Sequence, residues 1–241
     1  MEPNVNNKDL RDRYSNLLRI AFVILLVQNG SLVIYVGYFI LVFFPIPIDL
    51  IGFLLLAGSY LLYSTQEVKN KRYYFFGGLC VLGWAICRVL YQYIIPFLFM
   101  PYLKICPEAK NWLDYWGVIH FFLGIKCPGL PLLTTAMTIF IFLGGISLAL
   151  GSITIWSAQK GNWGHRLFMV YGVCNAIVIS LFVVTGFPSM GILAPPGTNA
   201  LCMNLYLLKG FVVPLLGVIA FYPMCKGSKS TFLPITAQLE G

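Results

Sequence analysis

The chain has 241 residues, 59% of them hydrophobic and 10% charged, with Lys+Arg 16 against Asp+Glu 8. An ordinary soluble domain carries roughly 25% charged residues, so this composition excludes a water-soluble fold that hides its apolar residues in one core. The basic excess would point to nucleic acid in a soluble protein, but most of these residues flank apolar stretches, where they report membrane topology instead.

Apolar stretches recur along the whole sequence, which predicts an all-α, polytopic transmembrane helix bundle of about six spans in one membrane domain, 1–241. Seven spans are the rival count. A polar start through Arg13 precedes an apolar run longer than a signal-peptide core and without an A-x-A-like cleavage site, so the first helix is expected to stay in the mature protein.

The first span is expected over about 17–44. It exceeds the ~20 residues a bilayer requires and must tilt or protrude. Pro45 and Pro47 end it, and Asp49 opens a second span over about 48–64, followed by Glu67, Lys69, Lys71 and Arg72. A third span, about 73–95, meets Pro96 and Pro101, which break regular helical hydrogen bonding. The longest loop, Pro101 to Pro131, holds Cys106, Cys127 and an aromatic segment, Asn111 to Ile125, interrupted by Asp114 and His120. An interfacial or re-entrant helix fits that segment better than a full span. The fourth span is expected over about 132–156, the fifth over about 167–187 after Lys160, His165 and Arg166, and the sixth over about 203–224, with Lys226 and Lys229 beyond it.

With the N-terminus inside, eleven basic residues fall on the cytoplasmic side: Lys8, Arg11, Arg13, Arg19, Lys69, Lys71, Arg72, Lys160, Arg166, Lys226 and Lys229. Only Lys104, Lys110 and Lys126 fall in the outer loops. This bias predicts cytoplasmic N- and C-termini and a multi-pass protein of the plasma membrane.

The second and fourth spans share a pattern. Gly58, Ser59, Ser64 and Gln66 recur 93 positions later as Gly151, Ser152, Ser157 and Gln159. With one inserted residue, Arg72, Gly78 and Cys80 match Arg166, Gly172 and Cys174. The hairpins over 58–80 and 151–174 read either as a parallel duplication, as in some transporter halves, or as shared hairpin grammar.

His120 and His165 lie on opposite sides of a bilayer core of ~30 Å, so they cannot together ligate one haem. The seven cysteines show no C-x-x-C or compact Cys/His spacing. Cys80, Cys87 and Cys174 within spans read as packing residues. Cys106 and Cys127 share the outer loop and form a candidate disulfide if that side is oxidising, with Cys202 as a competing partner. No cofactor is expected.

Ionisable groups inside a membrane are functional hypotheses by default. Asp49, Arg88 and Lys209 qualify, all at outer-leaflet depth. Asp49 and Arg88 stand at comparable depth on adjacent antiparallel helices and can pair, leaving Lys209 as an excess charge that either attracts an anion or snorkels to the headgroups. Gln92 completes the candidate intramembrane polar site Asp49, Arg88, Gln92 and Lys209. Gln28, Asn29 and Asn175 suit interhelical hydrogen bonds.

No G-x-S-x-G, H-E-x-x-H or Walker loop is present, and no acid pair lies within a span. The sequence therefore predicts a non-catalytic subunit of a larger membrane complex, with the bilayer and other membrane subunits as partners and no nucleic acid. A small transporter or channel, carrying an anionic solute past Arg88 and Lys209, is the alternative.

Overall fold

Runs of apolar residues without an internal breaker favour helix, since the helix satisfies every backbone group within its own segment. The computed structural model describes residues 4–35, 48–65, 70–95, 98, 130–184 and 208–227. Among them the chain forms six α-helices and no strand: α1 Asn4–Tyr35, α2 Ile48–Ser64, α3 Lys71–Val89, α4 Leu130–Ala158, α5 Trp163–Val184 and α6 Val213–Gly227. A π-helical segment, Leu90–Ile94, prolongs α3, and another, Leu208–Val212, precedes α6.

Among the described residues, two stretches, Ile139–Ala158 and Trp163–Leu181, are long and apolar enough to cross a membrane by length and composition. Ile48–Ser64 and Val213–Cys225 are apolar but shorter.

The largest difference from the sequence reading is at α1. The apolar run begins at Leu17, yet the helix already starts at Asn4. Polar residues do not end a helix unless they break it, and the stretch from Lys8 to Arg13 is rich in good helix formers. At 1.5 Å per residue, its 32 residues reach about 48 Å, beyond a bilayer core of ~30 Å.

The short α2–α3 and α4–α5 turns make those pairs antiparallel neighbours. Around them α1 packs on α2, α3 on α4 and α5 on α6, and α6 returns to α1, closing a ring. Large side chains fill its interior: Phe22, Phe53, Phe168 and Phe221 are fully buried. The Phe221 ring lies 6.2 Å from Phe22, 5.9 Å from Phe168 and 5.2 Å from Tyr171, centroid to centroid, linking α1, α5 and α6. Such aromatic pairs add to their burial by about 0.5–1.5 kcal/mol each.

Glycine brings α3 and α4 together. A Cβ on Gly77 would stand 2.5 Å from Ile155 Cγ1, and one on Gly151 would stand 3.1 Å from the Gly77 carbonyl oxygen. Ser147 Oγ donates to the Cys80 carbonyl at 2.6 Å across the same interface. Gly58, which the sequence pairs with Gly151, has nothing within 4 Å of its Cβ position. The matching glycines of the two hairpins thus do different work.

The α2–α3 and α4–α5 turns interlock. Asn70 takes the left-handed conformation (φ 67°), which asparagine tolerates, and its Nδ2 donates to the Ala158 carbonyl at 3.4 Å. Asn162 caps α5, its Oδ1 accepting from the Gly164 amide at 2.9 Å. These turns mark one end of the bundle, called here the basic end.

Candidate functional site

Asp49 stands in the first turn of α2 and Arg88 in the last turn of α3, the placement each helix dipole favours. The antiparallel hairpin brings them together, and Arg88 donates to Asp49 Oδ2 at 2.5 Å. One helical turn further in, Phe53 meets Trp84 edge to face at 6.1 Å. The Arg88 guanidinium carbon sits 5.7 Å from the Trp84 ring centroid. Two i, i+4 pairs, Asp49/Phe53 and Trp84/Arg88, thus clasp α2 to α3 by an ion pair and an aromatic contact, and a cation–π contact within α3 holds Arg88 over Trp84.

The pair does not satisfy every group around it. Asp49 Oδ1, Trp84 Nε1 and Asn175 Nδ2 are buried without a hydrogen-bond partner among the described residues. Tyr171, one turn before Asn175 on the inner face of α5, is buried within electrostatic reach of both Asp49 and Arg88. At the pair itself, a carboxylate acceptor and the Trp84 N–H donor in an apolar interior suit hydrogen bonding to a small polar group.

A second polar cluster occupies the interior at the basic end. His165, in the first turn of α5, is fully buried, and its Nε2 lies 3.1 Å from the Tyr60 hydroxyl of α2. Its Nδ1 finds no partner among the described residues. Tyr60 stacks on Tyr74 at 6.0 Å, Tyr63 meets Tyr74 edge to face at 5.0 Å, and the Tyr74 hydroxyl accepts from Gln159 Nε2 at 2.9 Å. On α1, Asn29 Nδ2 donates to the Leu25 carbonyl at 2.7 Å, and its side chain packs against Gly217 of α6.

The remaining sequence candidates are placed less fully. Gln92 and Lys209 lie in the two π-helical segments, and their side chains are outside the described residues. Each segment has a physical cause in the sequence. A proline clashes with the carbonyl four residues earlier, and Pro96 and Pro214 follow Gln92 and Gly210 by four positions. Cys106, Cys127, Cys202, His120 and the aromatic segment 111–125 lie outside the described residues. Cys80, Cys87 and Cys174 are half-buried free thiols. Among the described residues, no three His, Cys, Asp or Glu side chains are grouped to hold a metal ion.

Sequence reasoning passed over Tyr60, Trp84 and Tyr171, and it placed His165 at a helix start without an interior role. Their partners sit on other helices, so no local spacing announces them. Only the face periodicity of α5, which sets His165, Phe168, Tyr171 and Asn175 on one side, carried a signal.

Compared with protein-family models, with curated proteins and with solved structures, the chain finds no match.

Proposed function

We propose that the chain is a six-span protein of the plasma membrane with both termini in the cytoplasm, and that it serves as a non-catalytic subunit packing within a larger membrane complex. The observation that carries this reading is the contrast between inside and outside. Large apolar side chains point outward on all six helices, among them Val27, Leu54, Phe76, Leu150, Ile177 and Ile219. Soluble monomers rarely expose contiguous apolar patches larger than a few hundred Å². The interior is packed with aromatic rings, and Arg88 is matched to Asp49 rather than left to attract an anion.

Lipid and partner helices are the surroundings that suit such an exterior. The surface between α4 and α5 adds an apolar groove of about 410 Å³, with Ala149, Ala176 and Ser180 among its lining residues. Small residues of this kind let membrane helices approach closely.

One observation favours the transporter alternative: Asp49 Oδ1 and Trp84 Nε1 at the ion pair are buried without a hydrogen-bond partner among the described residues. Proteoliposomes holding the purified chain separate the readings. The subunit reading expects no chloride or phosphate flux above that of empty vesicles. Saturable flux abolished by Arg88→Gln would replace it with transport.

A further inference from the structure

The interlocked turns gather charge as well as backbone. Asn70 against Ala158 and Gln159 against Tyr74 bring the start of α3 to the α4–α5 turn, so that Lys71, Arg72 and Lys160 share one exposed surface. Arg166, in the first turn of α5, is exposed beside them, its guanidinium 5.6 Å from the Trp163 ring centroid. Arg19 of α1 is exposed at the same end. It lies within electrostatic reach of Cys225, whose neighbour Met224 packs over Gly164 at the start of α5.

This placement costs free energy in the isolated chain. The first turns of α3 and α5 hold no acid, and the positive ends of both helix dipoles face the cations that stand there. In the sequence, Glu67 is the one acid in the α2–α3 turn, against Lys69, Lys71 and Arg72, and the α4–α5 turn has none. Exposed aromatic rings border the cations: Tyr73 beside Arg72, Trp163 under Arg166, and Tyr222 on α6. Cations beside exposed Trp and Tyr at helix ends match the layer where lipid headgroups lie.

From this charge complementarity we propose that the basic end is a docking surface for anionic phospholipid headgroups, with Lys71, Arg72, Lys160 and Arg166 as its phosphate-binding side chains. The inference rests on the membrane-embedded reading above. Phosphates at this level neutralise the cations and meet the helix N-termini, where anions are favoured. The surface then selects for anionic lipid and does more than fix orientation.

The test uses the full-length chain in nanodiscs of phosphatidylcholine alone or mixed with phosphatidylglycerol. Thermal unfolding is expected to move upward as the anionic fraction rises, and added salt is expected to shrink that shift. Removing cations in the variant K71Q/R72Q/K160Q/R166Q is expected to abolish it, each lost charge weakening lipid preference roughly fivefold. Retention of phosphatidylglycerol by the wild-type chain in native mass spectrometry gives a second readout should that variant fail to fold. Equal unfolding temperatures in both lipids, together with no selective retention, would overturn the proposal. So would an equal shift from inorganic phosphate in neutral nanodiscs, which assigns the surface to free anions, or one from an acidic peptide, which assigns it to a protein. A chain that does not enter nanodiscs at all fails the membrane reading itself, a separate outcome.

Discussion

The Tyr60 hydroxyl and His165 Nε2 lie 3.1 Å apart in the interior of the bundle, joining α2 and α5, which do not pack side by side in the ring. This link spans 105 positions of sequence and braces the basic end across its middle. Both side chains are fully buried, so each polar group depends on the other for its hydrogen bond.

Tyr60→Phe is therefore expected to leave the imidazole without this partner at Nε2 and to destabilise the protein by about 1–3 kcal/mol. His165→Leu is expected to cost a similar amount, while the double variant should cost less than the two together, because no orphaned polar atom then remains. A double-mutant cycle on thermal unfolding in detergent measures the coupling. Strictly additive losses would show that the contact contributes nothing.

Breaking the Asp49–Arg88 pair is expected to cost more. Arg88→Met leaves a buried carboxylate with neither oxygen paired, a change that typically costs roughly 3–5 kcal/mol. Removing both charges, as D49L/R88M, is expected to recover most of that loss. Unfolding midpoints of the two variants and the wild type decide the point. A double variant as unstable as the single one would mean that the pair itself, and not the unpaired charge, sets the stability.

Gly151→Ala and Gly58→Ala should separate two glycines that the sequence treats as equivalents. At Gly151 the new methyl meets Val81 Cγ2 at 3.0 Å and the Gly77 carbonyl at 3.1 Å, so α3 must move away. Overpacking of this kind costs about 1–3 kcal/mol. At Gly58 the methyl meets nothing, and alanine is expected to be neutral or to stabilise α2 by up to about 1 kcal/mol. Equal effects in a thermal-shift assay would contradict this assignment of the α3–α4 contact.

How much of this was legible in the sequence depended on the range of the interaction. The helix Ile48–Ser64 coincides with the expected stretch because prolines precede, and polar residues follow, a largely apolar run. Asp49 and Arg88 were readable as neighbours because a tight antiparallel hairpin fixes relative depth without further information. Tyr60 and His165 were not, since they stand 105 positions apart on helices that are not sequence neighbours, and no local pattern encodes their approach. The helix α1 extends upstream of the expected span for a different reason: hydropathy marks where lipid-compatible residues begin, while helix formation continues through polar residues of good propensity. The two hairpins show the limit of pattern matching, since Gly78 packs on the backbone at Ala57 and Leu61, whereas Gly172 packs on Leu148 and Ser152, two positions out of the aligned register.

A closed interior and an apolar exterior suit the chain to the proposed packing among membrane subunits. The most direct measurement is the native mass of the tagged full-length protein extracted from its own membranes in mild detergent. If the chain is a subunit as proposed, reproducible partners in fixed stoichiometry are expected, giving a mass well above that of the chain with its detergent belt. Recovery of the chain as a monodisperse single component, with no stoichiometric partner, would contradict it.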